Sequence, residues 1–87
     1  MAEAAKTIII TGASSGIGAA TALRFLDAGW QVGLVARRRA KLQALAAGRD
    51  NAHVLVADVT DHKALAAAFA RFTGAVGRLD VLFNNAG

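Results

Sequence analysis

Apolar positions in this 87-residue chain fall into two alternating patterns. Compact runs occupy residues 6–11, 31–36, 53–57 and 80–84. The first contains Thr7-Ile8-Ile9-Ile10-Thr11, β-branched without apolar–polar alternation, which is how a strand buried on both faces reads. Between the runs, apolar residues recur at helical spacing: Ala19, Ala22, Leu23 and Leu26, then Leu42, Leu45 and Ala46, then Leu65, Phe69, Phe72 and Val76. Such stripes predict three amphipathic helices. Asp61, or Thr60 before it, is placed to cap the third helix, and Gly29 to end the first. Gly74 and Gly77 read as loop residues.

Strands that alternate with helices imply a parallel sheet, because each parallel connection must cross over the sheet. Right-handed crossovers put the first two helices on one face. If the chain reverses direction after the third strand, the third helix lies on the other face and the strand order is 3-2-1-4. The expectation is therefore an α/β fold, βαβαβαβ, in one domain. Its fourth strand would present an apolar sheet edge. Natural proteins avoid leaving such edges open, so the 87 residues read as part of a larger sheet that would self-associate through residues 81–84 if left alone.

Composition narrows the setting. The hydrophobic fraction is 55%, yet no apolar run approaches the roughly 18 residues of a membrane-spanning helix. Residues 1–6 do not read as a secretory leader, and with no cysteine a reducing cytoplasm is the expected location. The net charge of +4 is concentrated in the front half, in Lys6, Arg24, Arg37, Arg38, Arg39, Lys41 and Arg49. No aromatic platform or recognition helix accompanies this excess, so nucleic acid is not the expected partner. His53 and His62 lack companions at metal-ligand spacing, and no metal is expected.

The chemistry begins directly after the first strand, at Thr11-Gly12-Ala13-Ser14-Ser15-Gly16-Ile17-Gly18. A helix follows, and its start offers unpaired N–H groups and a positive dipole end, a natural anion site. Gly12 suits a tight turn, Gly16 the approach of a pyrophosphate and Gly18 close packing of helix on strand. Ser14 and Ser15 add hydroxyl donors. With a strand before it and a helix after it, the motif points to a Rossmann-type doubly wound parallel sheet that binds a dinucleotide. The absence of Lys-Ser or Lys-Thr after the glycines argues against a P-loop.

The spacing Thr-Gly-x-x-x-Gly-x-Gly resembles the cofactor motif of the short-chain dehydrogenase/reductase family. Asp58-Val59 after the third strand and Asn84-Asn85-Ala86-Gly87 after the fourth fit the same family in the same order, so the resemblance covers the whole chain. It implies that Asp58 binds the adenine amino group with the Val59 backbone beside it. It further implies that Asn85, Ala86 and Gly87 line the adenosine ribose, and that residues 1–87 are the N-terminal portion of a single NAD(P)-binding domain. The family interconverts ketones and alcohols by hydride transfer and commonly assembles as dimers and tetramers, so a small carbonyl or alcohol substrate and a homo-oligomer are implied as well.

An NAD site usually carries an acidic residue at the end of the second strand. Here the strand ends Leu34-Val35-Ala36 and runs into Arg37-Arg38-Arg39, with Asp27 too early and Asp50 too late. A guanidinium matches a phosphate with paired hydrogen bonds, so Arg37, with Arg38 second, is the expected partner of a 2′-phosphate. NADP(H) is the expected cofactor and NAD(H) the less favoured one. Hydride transfer also needs a proton donor beside the carbonyl. The resembled family uses Tyr-x-x-x-Lys with an upstream serine, and this chain contains no tyrosine. The catalytic residues are therefore expected beyond Gly87, and the 87 residues are expected to bind without turning over. A non-catalytic dinucleotide-binding or regulatory module is the alternative.

Overall fold

The computed structural model describes residues 5–85. Seven elements follow one another: β1 (Thr7–Thr11), α1 (Gly16–Asp27), β2 (Gln31–Ala36), α2 (Arg39–Ala46), β3 (Ala52–Val56), α3 (His62–Val76) and β4 (Val81–Asn84). The strands form a single sheet in the order β3-β2-β1-β4, and every pairing is parallel. This is the Rossmann-like architecture expected from the sequence.

Successive side chains of the inner strands feed two different cores. Ile8, Ile10, Val32, Leu34 and Ala36 pack with Ala22 and Leu26 of α1 and Leu42 of α2. Ile9, Val35 and Leu55 pack with Ala68 and Phe72 of α3. Helices α1 and α2 thus cover one face and α3 the other. That is why Ile8-Ile9-Ile10 is apolar without a break: in a strand covered on both sides, neither orientation meets water. Phe72 is almost completely buried, and burying such a ring contributes about 1.5–3 kcal/mol. It sits over Gly33, where a Cβ would come within 3.1 Å of the Phe72 ring and of Ile9, and 3.0 Å of Leu55. The missing side chain lets α3 approach β2.

Helix ends follow local chemistry. The Asp61 side chain accepts a hydrogen bond from the Ala64 N–H and caps α3. After α1, Gly29 takes φ +88°, as its expected place after the helix suggested. Asn51 secures the same corner by donating to the Leu26 and Trp30 carbonyls at 3.0 and 2.7 Å. Trp30 packs edge-on against Phe25 with ring centres 4.8 Å apart, and the Lys6 ammonium lies 5.7 Å from its ring centre.

The reading of Gly74 as a loop residue is corrected: α3 runs through Gly74 to Val76, while Gly77, as expected, lies past the helix and ends it with φ +91°. A glycine inside a helix costs roughly 0.5–1 kcal/mol against alanine. Phe72, Phe69 and Val76 pack the last turns onto the sheet, which outweighs that cost. The Gly77 N–H then donates to the Thr73 carbonyl at 2.8 Å, a left-handed helix ending that glycine permits.

Strand β4 joins β1 through two buried threonines. At one end, Asp80 Oδ2 accepts from the Thr7 N–H at 2.9 Å and from Arg78 Nε at 3.0 Å, while the Asp80 N–H donates to Thr7 Oγ1 at 2.9 Å. At the other, Thr11 Oγ1 donates to Asn84 Oδ1 and accepts from the Asn85 N–H, both at 3.0 Å. Among the described residues β3 and β4 are the sheet edges, and Val81 and Leu82 of β4 are exposed. No helix among the described residues is long and apolar enough to cross a membrane.

Candidate functional site

The chain leaves β1 toward β2 on one side of the sheet and reaches β4 on the other side of β1, so the strand ends diverge around β1. Doubly wound sheets bind ligands in the crevice that opens at such a point. Here a cleft of about 500 Å³ lies there, lined by Gly12, Ser14, Ser15, Ala36, Arg37, Ala57, Asp58, Val59, Thr60 and Asn85. Four segments far apart in sequence meet in it, because each directly follows a strand of the same parallel sheet.

The glycine-rich bend forms the cleft floor. Gly12 takes φ +65°, and a Cβ there would lie 2.6 Å from the Asn85 carbonyl oxygen, so both the turn and the close approach of the fourth strand's end require glycine. Two of the bend's amides serve the protein itself: Ala13 N–H donates to the Val35 carbonyl and Ser15 N–H to the Gly12 carbonyl, each at 3.1 Å. The Ser15 hydroxyl also donates to the Gly12 carbonyl, at 2.8 Å, and accepts from Asn85 Nδ2 at 3.0 Å. Ser15 and Asn85 therefore hold the bend in shape.

The amides of Gly16, Ile17 and Gly18 are the first of α1 and have no helical acceptor. The Ser15 side chain does not cap them, and no acidic residue occupies the first turn, so nothing in the helix neutralises its positive end. A Cβ added at Gly16 would meet nothing within 4 Å, whereas one at Gly18 would overlap the Gly12 carbonyl. Gly18 is filled by the protein and Gly16 opens onto the outside. Ile17, 69% exposed, borders an adjoining recess with Ser15, Gly16 and Asn85.

Opposite this floor, the Asp58 carboxylate follows β3. Its Oδ1 accepts from the Thr60 N–H at 2.9 Å and from the Thr60 hydroxyl at 2.7 Å. The Thr60 amide, then its hydroxyl, and to a smaller degree the Arg37 charge hold this carboxyl below the ordinary carboxylate range. Arg37, just past β2, is largely exposed, with Nη1 4.0 Å from Asp58 Oδ2.

Of the residues singled out from the sequence, Gly12, Ser14, Ser15, Arg37, Asp58, Val59 and Asn85 line the cleft. Gly16 and Ile17 border the adjoining recess, and Gly18 lies buried beneath the bend. Arg38 is at the N-cap of α2 and is not among the lining residues. Because α2 begins at Arg39, Arg37 belongs to the strand–helix connection and not to the helix. Ala86 and Gly87 lie outside the described residues. Sequence reasoning missed Ala36, Ala57 and Thr60. The two alanines stand where β2 and β3 end and keep the cleft open by their size; the pairing of Asp58 with a threonine two residues on was the available sign for Thr60.

Comparison with known proteins agrees with this geometry. The short chain dehydrogenase family matches residues 6–87. Serine 3-dehydrogenase from Agrobacterium fabrum is 46% identical over 82 residues, covering 93% of this chain and 33% of the relative. A metagenomic short-chain oxidoreductase solved in complex with NADP superposes with a TM-score of 0.83 at 41% identity, over 94% of this chain and 39% of that one. The 3-ketoacyl-(acyl-carrier-protein) reductase of Brucella melitensis, solved with NADH, gives a TM-score of 0.84 at 33% identity, over 88% and 32% respectively. The chain thus spans about a third of the length of the curated relative. By the family match over nearly its whole length, the chain belongs to the short-chain dehydrogenase/reductase family of oxidoreductases.

Proposed function

We propose that residues 1–87 are the N-terminal portion of a single NAD(P)-binding domain, and that they hold NADP(H) for an enzyme that interconverts a ketone and an alcohol. The observation that carries this reading is the contrast between two glycines beside an uncapped helix end. Gly18 is closed off by the protein, while Gly16 leaves room above the free amides of the first turn of α1. A cradle of N–H donors with open space over it fits a pyrophosphate.

Around that cradle each residue has a part. Gly12 shapes the turn; Gly16 and Ile17 present their N–H groups to the phosphates, and Gly18 packs α1 against the bend; Ser14 adds a hydroxyl. The Ser15 hydroxyl is already engaged within the bend, so its part is to hold the loop. Arg37, and after it Arg38, receives the 2′-phosphate. Asp58 accepts from the adenine amino group, with the Val59 backbone beside it, and Asn85, Ala86 and Gly87 follow the ribose. The donor set favours NADP(H) over NAD(H) because Arg37 is the charged side chain at the end of β2 that lines the cleft.

A bound nicotinamide supplies or accepts the hydride. The chain's own task is to grip and orient, which can lower a barrier substantially by fixing the reacting groups in place. These residues include no tyrosine, so we assign proton transfer to a Tyr-x-x-x-Lys pair outside them and expect the 87 residues to bind cofactor without turnover. That the relative named above is called a serine 3-dehydrogenase supports the oxidoreductase reading. Titration of the protein with NADPH and NADH, followed by fluorescence or calorimetry, tests it. Tighter binding of NADPH is the expected result; tighter binding of NADH, or binding of neither, overturns it.

A further inference from the structure

The adenine end of the cleft contains a polar group whose role neither the sequence reading nor the geometry of the glycine bend accounts for. Thr60 stands next to the α3 cap, where it competed with Asp61 for that function. The structure gives the cap to Asp61 and turns Thr60 the other way. Both its N–H and its hydroxyl donate to one oxygen of Asp58, Oδ1, at 2.9 and 2.7 Å. The second oxygen, Oδ2, has Arg37 Nη1 at 4.0 Å. With the amide bond alone the carboxylate could turn about its Cβ–Cγ bond and close on the Arg37 guanidinium, occupying both groups at once; the hydroxyl bond adds the second restraint.

We propose that Thr60 is a positioning residue for base recognition: its two hydrogen bonds to Asp58 Oδ1 fix the carboxylate so that Oδ2, held at the 4.0 Å limit of its ion pair with Arg37, is presented to a purine amino group. The inference rests on the dinucleotide reading of the cleft and deepens it. A locked, ionised carboxylate is an acceptor only. It therefore favours a base with an exocyclic N–H donor, as adenine has, and disfavours one with a carbonyl at the same position, as hypoxanthine has, where two acceptors would face each other. The lowered carboxyl pKa of Asp58, caused first by the Thr60 amide and next by its hydroxyl, agrees with a group kept ionised.

The test compares NADPH with its counterpart carrying hypoxanthine in place of adenine, in binding titrations of the wild-type protein and of Thr60→Val, Thr60→Ser and Asp58→Asn. The wild type is expected to prefer the adenine cofactor by about tenfold, the scale of one hydrogen bond to a charged group. Thr60→Val, which removes the hydroxyl bond and keeps the amide one, should reduce that preference by a fewfold through weaker binding of the adenine cofactor, with the hypoxanthine one changed less than about twofold. Thr60→Ser keeps the hydroxyl and should retain the preference. Asp58→Asn, which can offer an N–H to the hypoxanthine carbonyl, should lose or reverse it. Unfolding midpoints for each variant separate loss of recognition from loss of fold.

Equal weakening of both cofactors by Thr60→Val, or no effect on either, would overturn the positioning role while leaving the cleft as a dinucleotide site. A wild type that binds both cofactors equally would overturn the role of Asp58 in base recognition, and the inference with it. A wild type that binds neither would overturn the dinucleotide reading itself.

Discussion

Gly16 and Gly18 sit two residues apart at the start of α1, and a methyl group added to each should do opposite things. At Gly16 the new Cβ meets no protein atom within 4 Å, and the residue has no left-handed backbone to strain. A glycine replaced by alanine in a compatible conformation stabilises a protein by about 0.4–1 kcal/mol, chiefly by restricting the unfolded chain. Gly16→Ala is therefore expected to leave stability unchanged or slightly raised. Its methyl group does stand where a pyrophosphate would approach the amides. Losing one hydrogen bond to a charged group costs about 1.5–3 kcal/mol, so NADPH affinity should fall by roughly 10- to 100-fold. At Gly18 the added Cβ overlaps the Gly12 carbonyl and comes within 2.9 Å of Asn85 Nδ2, backbone and side chain that already form the bend. Overpacking of this kind costs about 1–3 kcal/mol, and Gly18→Ala should lose stability and affinity together. Denaturant midpoints report the first quantity and NADPH titration the second. If Gly16→Ala destabilised the protein as much as Gly18→Ala, or bound NADPH within about twofold of wild type, the space above Gly16 would not be where the ligand sits.

Three further outcomes follow from single contacts. Arg37→Asp should weaken NADPH binding by about 10- to 100-fold through loss of charge-assisted bonds to the 2′-phosphate and change NADH binding far less; equal losses in calorimetry would remove Arg37 from this role. The Asp80 carboxyl is held below the ordinary carboxylate range, first by the Thr7 amide, with Arg78 and the Thr7 hydroxyl adding to it. Its folded value lies below its unfolded one, so its contribution is complete above about pH 4 and fades as pH falls through the folded value. Asp80→Asn should flatten that acid limb in denaturation midpoints taken across the range, and an unchanged slope would argue against the linkage. Asn51→Ala removes bonds to two carbonyls at the α1–β2 corner and should cost about 1–3 kcal/mol in urea unfolding; no change would mean that water replaces the side chain.

The sheet and its layers were legible in the sequence because they follow from rules that act along the chain. The unbroken Ile8-Ile9-Ile10 run announced a strand with two covered faces, and the structure sends Ile8 and Ile10 to one core and Ile9 to the other. The helix stripes found Ala22, Leu26, Leu42 and Phe72, all buried. Stripe reasoning passed over Ala68, which is fully buried, because a small side chain among many alanines carries little signal. Gly74 was misplaced for a related reason. Glycine's local preference argues against a helix, and only the packing of Phe69, Phe72 and Val76 against the sheet overrules it.

The site divides along the same line. Its location was legible: crossover rules place the ends of β1, β2, β3 and β4 around one crevice, so Gly12, Arg37, Asp58 and Asn85 had to come together once the strand order was known. What each polar group does there was not, because a hydroxyl or amide chooses among acceptors by distances that sequence spacing does not encode. Thr60 had two acceptable partners within reach of a local rule, the first turn of α3 and Asp58, and the second won once Asp61 took the cap. The Ser15 hydroxyl, read as a ligand donor, gives its proton to the Gly12 carbonyl and accepts from Asn85, 70 residues away in sequence. Both hydroxyls turn inward and fix the shape of the cleft. Facing the cleft are Ser14, the Arg37 guanidinium and one oxygen of Asp58, with the first amides of α1 at the adjoining recess, and any selectivity is expected to depend on how rigidly the inward-turned residues hold those few.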